Sequence, residues 1–160
     1  MVESDCVIYT TDQGECISLL PADHVAKYGL VPQAIVGQVV GDTEPGRSLT
    51  PSTFVENRAF HEFLHGVVER HAPTIVEFTD EARRRRDGWI YVVDQRTPTP
   101  GGRVPPEDVI GGFEVRSGHL LARSYQPIPS HQLMTERGFF DLGDELQERL
   151  VSELEQLRVA

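Results

Sequence analysis

Two histidines four residues apart, with a glutamate directly after the first, stand in the run His61-Glu62-Phe63-Leu64-His65. On a helix, a separation of four places the two imidazoles about 40° apart on one side. Such a pair supplies two nitrogen ligands for zinc, and a glutamate beside them can take a proton from a metal-bound water. A third ligand has to come from elsewhere, and His71, His119 and His131 are the candidates. At about 100° per residue a continuous helix turns His71 away from the pair, onto the apolar stripe of Phe60, Phe63, Leu64, Val67 and Val68.

This five-residue run is similar to the zinc-binding helix of the zincin metallopeptidases. The resemblance implies zinc as cofactor, His61 and His65 as metal ligands, Glu62 as general base and a zinc-dependent hydrolase as the activity. The same residues also read as the flank of an amphipathic helix, with the two histidines bordering the apolar stripe and Glu62 facing water. No cofactor is needed in that case.

Charge and composition narrow the other classes. The chain has 160 residues, with 15 basic against 25 acidic side chains and a formal net charge of −10. A surface of that sign repels nucleic acid and anionic membranes and steers basic protein surfaces toward it. All basic residues except Lys27 are arginine, a bias expected of a GC-rich bacterial genome. The apolar runs are far shorter than the ~20 residues a membrane span needs. The acidic start has neither the basic nor the apolar part of a secretory leader, so a cytoplasmic protein is expected, with Cys6 and Cys16 as small core residues. There is no glycine-rich phosphate loop and no nucleophile elbow.

A proline-rich loop from Thr97 to Pro106 is long enough to dock a partner, and Arg96, Arg103, Glu107 and Asp108 around it are candidate interaction residues. The first functional reading is therefore a non-catalytic protein-interaction or regulatory module, monomeric or homodimeric, with the zinc hydrolase as the alternative. The run Arg83 to Arg86 is flanked by Asp80, Glu81 and Asp87 and reads as a self-paired, solvated turn.

The elements that must carry these residues follow from periodicity and turn chemistry. Cys6 to Thr10 and Cys16 to Leu20 form an opening hairpin, Pro21 to Tyr28 a short helix stopped by Gly29, and Ala34 to Val40 a strand. Thr50 caps a central helix over about 51–71, with Pro51 at its first position and Leu49 and Phe54 as a hydrophobic staple. Thr74 to Phe78 and Trp89 to Val93 read as strands. Ser117-Gly118 turns a second hairpin that pairs Val115 with Leu120 and Phe113 with Ala122. Gly111-Gly112 inside that strand marks a bulge or a close approach of another group. A C-terminal helix over about 143–157, capped near Asp141, has an apolar face of Leu146, Leu150, Val151, Leu154 and Leu157. The sum is one α+β domain over 1–160, a mainly antiparallel sheet of about five to seven strands packed by the central and C-terminal helices.

Overall fold

The computed structural model describes residues 6–41, 50–96 and 104–158. Within them the α+β class with antiparallel pairing is as expected. The strands do not form one sheet, however, but three. The first carries β1 (Val7–Thr11), β2 (Gly14–Ser18), β3 (Ile35–Val39) and β4 (Phe54–Glu56) in chain order. The second is built on β5 (Gly88–Val93) and β6 (Val109–Arg116), with the short β7 (His119–Leu120) and β8 (Gln126–Pro127) both pairing with β6. The third is a small hairpin of β9 (Met134–Thr135) and β10 (Gly138–Phe139). Four helices, α1 (Ala22–Tyr28), α2 (Arg58–His71), α3 (Val76–Arg85) and α4 (Asp144–Gln156), complete the described residues.

The expected helix over 51–71 is split. Thr50 does cap, through a reciprocal box with Thr53, but it caps a single 3-10 turn over Pro51–Thr53. The chain then extends as β4, because Phe54 to Glu56 gain a ladder with β3 and the Phe54 ring fills the space above Gly37, where a Cβ would lie 2.4 Å from it. Asn57 is the cap that starts α2. Its Oδ1 accepts from the Ala59 N–H at 3.3 Å, while its amide donates to the carbonyls of Pro32 and Ile35 at 2.8 Å each. From there the apolar stripe behaves as its spacing requires, with Phe60, Leu64, Val67 and Val68 buried. Leu49, the other half of the expected staple, lies outside the described residues.

Two further expectations are corrected. Residues Thr74 to Phe78 are not a strand: a 3-10 turn over Ala72–Thr74 leads into α3, where buried Ile75 at the N-cap, half-buried Phe78 and buried Ala82 recur at helical spacing. The second hairpin keeps its predicted Val115–Leu120 pair but not Phe113–Ala122. Phe113 pairs with Ile90 instead, and a 3-10 turn over Ala122–Ser124 interrupts the returning strand, the Ser124 hydroxyl accepting from the Glu114 N–H at 2.7 Å. The pair Gly111-Gly112 is a close approach, and the bulge falls beside it, at Ile110. The β5–β6 register slips between Val92 and Val93, and a Cβ on Gly111 would fall 2.4 Å from the Tyr125 hydroxyl.

One apolar core joins the sheets and helices, with Phe60, Phe113, Phe140, Leu64 and Leu150 among its fully buried members. α4 packs along α2, and Glu153 ties the two by bonding both Arg70 and His71. No helix among the described residues is long and apolar enough to cross a membrane.

Candidate functional site

The first turn of α2 faces the end of β5 and the segment before β9, and the side chains there form a continuous polar chain. It starts at Glu56, the last residue of β4, whose carboxylate accepts from His61 Nδ1 at 3.1 Å and from the Leu133 N–H at 3.1 Å. His61 Nε2 meets His131 Nδ1 at 3.0 Å. His131 Nε2 donates to Asp94 Oδ2 at 3.1 Å, and both of these side chains are fully buried. The other Asp94 oxygen accepts the N–H groups of Arg96 at 3.2 Å and Asp141 at 2.9 Å.

The tautomers follow from this order. With carboxylate acceptors at both ends, His61 Nδ1 and His131 Nε2 carry ring protons, and the two nitrogens that face each other complete the chain. Burial pushes the Glu56 carboxyl upward, but its bonds from His61 and from the Leu133 N–H, with the nearby imidazoles, outweigh this and hold it below the usual range.

His65 stacks on His61, with ring centres 4.9 Å apart, and its Nδ1 meets the Tyr125 hydroxyl at 2.6 Å. Burial, followed by the neighbouring His61 and His131, lowers the His65 pKa to about 4 against the pull of Glu56. Burial, with Glu69 nearby, raises that of Tyr125. His65 is therefore a neutral acceptor for the Tyr125 proton and carries its own proton on Nε2. Tyr125 reaches this position only because Gly111 leaves room for its ring.

The histidines named from the sequence thus separate into groups. His61, His65 and His131 come together, the last from a segment seventy residues away. His71 bonds Glu153 on α4, and His119 is exposed opposite Arg116 in the β6–β7 turn. Glu62 points outward and pairs with Arg58 one turn before it at 3.0 Å. Among the described residues no group of three or more His, Cys, Asp or Glu side chains is arranged to hold a metal ion. The donor set explains this, since His61 and His131 spend on each other the nitrogens a metal would take, and His65 Nε2 carries a proton. A zinc ion here requires the His61–His131 bond to open.

The residues named around the proline-rich loop lie beside the same chain. Arg96 has only 4% of its side chain exposed and donates all five of its N–H groups: to Asp108 at 2.8 Å and to the carbonyls of Leu133, Gly138, Glu107 and Gln132. Asp108 is fully buried and also accepts from Arg137 at 3.2 Å, while Glu107 pairs with Arg137 at 2.9 Å. Arg96 and Asp108 are thus buried groups that tie the end of β5 to Glu107 and to the segment 132–138. Arg103 lies outside the described residues. The sequence reading missed Glu56, Asp94 and Tyr125. Their one legible signal is position, an acid at the end of a strand on either side of the histidine helix and a glycine pair opposite a tyrosine.

Compared with protein-family models, curated proteins and solved structures, the chain matches none.

Proposed function

We propose that this chain is a non-catalytic, acidic interaction module that recognises a basic surface on a partner protein. The observation that carries the reading is that the polar cluster is closed on itself. Glu56, His61, His131, Asp94, Arg96 and Asp108 satisfy one another and nearby backbone, as groups do when they specify a fold, while the net charge of −10 is left to act outward. Long-range attraction of this kind raises association rates with a basic partner and weakens as salt is added.

Affinity capture with the full chain from cells that encode it tests the proposal. A stoichiometric basic protein, retained at low salt and released as salt rises, is the expected result. Failure to retain any stoichiometric protein at low ionic strength overturns it. The zinc-hydrolase alternative is measured on the same preparation, as zinc content of untagged protein beside a His61→Ala/His65→Ala variant. Stoichiometric zinc lost in the variant would replace the interaction reading with the metal one.

A further inference from the structure

Away from the histidine chain, a groove of about 580 Å³ runs between α3, β5 and the start of α4. Its volume is in the range of pockets that take a few side chains or a small molecule. Four carboxylates border it, Glu77 and Glu81 from α3 and Asp144 and Glu145 from α4, and no basic side chain lines it. Phe78 and Tyr91 line the same groove. Tyr91 is 47% exposed on an edge strand that pairs only with β6. Gly112 on β6 lets the tyrosine ring settle against the sheet, since a Cβ there would come within 3.0 Å of the ring. One side of the ring is thereby backed by the strand and the rest is left to the groove.

An aromatic face rimmed by carboxylates is complementary to a guanidinium or ammonium group, which gains a cation–π contact and ion pairs at once. The chain uses the first of these contacts internally, where the Arg158 guanidinium lies 4.0 Å from the centre of the Tyr28 ring. Burial pushes the Glu81 carboxyl upward against the pull of Arg84, so a cation arriving in the groove would relieve a carboxylate that its surroundings disfavour. Anionic occupants would meet four carboxylates, which Arg84 beside Glu81 offsets only in part.

We propose that this groove receives an arginine- or lysine-bearing segment of the partner, with the cation over Tyr91 and between the acidic rims. The inference rests on the interaction reading above and assigns its place. The probe is the capped pentapeptide Ala-Arg-Ala-Arg-Ala, titrated into the full chain at low salt and followed by amide shifts in two-dimensional NMR. The neutral control replaces both arginines by citrulline. Shifts should cluster in 75–81, 91–95 and 142–146 and vanish with citrulline. Tyr91→Ala, and separately Glu81→Gln/Glu145→Gln, should each weaken binding about fivefold or more. The charge-matched Glu15→Gln/Glu155→Gln pair, which lies outside the groove, should change it less than about twofold.

Shifts spread evenly over the acidic surface, or equal weakening by both charge pairs, would overturn the assignment. So would an unchanged affinity in Tyr91→Ala. If these results came with a basic partner captured from cells, the groove would fall and the interaction reading would stand. Absence of both peptide binding and a captured partner would remove the two together.

Discussion

Arg96 meets five acceptors with five protons, and four of those acceptors are backbone carbonyls between 11 and 42 residues away in the chain. Lysine keeps the charge but has three donors on one nitrogen, so it must give up at least two of these bonds, although the Leu133 and Glu107 carbonyls each keep a backbone N–H donor, from Phe140 and Gln132. Each lost hydrogen bond costs about 0.5–1.5 kcal/mol, and Arg96→Lys should therefore destabilise the chain by about 1–3 kcal/mol in urea unfolding. A variant as stable as the parent would mean that water reaches these carbonyls. Nothing in the sequence marks Arg96 for this task. An arginine next to a proline-rich loop reads as a surface group, because the carbonyls that capture it belong to no motif.

At the scale of elements, α4 is held to α2 by its apolar stripe and by Glu153, which takes both Arg70 and His71. Burial raises the Glu153 carboxyl, but its bonds from His71 and Arg70 outweigh this and lower it. Glu153→Ala should loosen the helix by about 1–2 kcal/mol, seen as faster amide exchange in 144–156 with little change in β5 and β6. Uniform loss of protection in both would show the pair acting on the whole core.

The strands and helices whose patterns are local were legible: the opening hairpin, Trp89 to Val93, and the stripes of α2 and α4 lie within one or two residues of their expected places. Errors came where a tertiary gain competed with a local signal. The box at Thr50 is a valid helix start, yet the ladder to β3 and the seat over Gly37 draw Phe54 into a strand. Thr74 to Phe78 has β-branched composition, but its apolar residues also fit the helical spacing that carries on to Ala82. The site was half legible. Spacing joined His61 to His65, whereas His131, Glu56 and Asp94 arrive through topology, and the outward turn of Glu62 depends on which face of α2 the core claims.

For the whole molecule, acid should be destabilising well before the carboxylates titrate. His65 has a folded pKa of about 4 against an unfolded value of 6.5. Between those values the unfolded chain binds more protons, so stability falls as pH drops through the window. The effect is at most about 3 kcal/mol, less for the water that reaches the ring. Below it, Glu56 and Glu153, both held low, lose their contributions as pH falls further. Melting temperature measured from pH 8 to pH 4 should decline from about pH 6.5, and His65→Gln, which keeps a partner for Tyr125, should flatten that decline. Parallel curves for the two proteins would place the proton elsewhere.

The segment from Ile128 to Asp141 has only the two-rung hairpin of β9 and β10 as regular structure. It is attached to the rest of the protein along its length, by Ser130, His131, Arg137 and the Asp141 N–H, by the carbonyls that Arg96 holds, and by Leu133, Met134, Phe139 and Phe140 in the core. A strap fastened at this many points, four of them in the core, cannot fray from its ends. Residues 131–141 should exchange their amides together with β5 and β6 rather than ahead of them, as hydrogen exchange would measure.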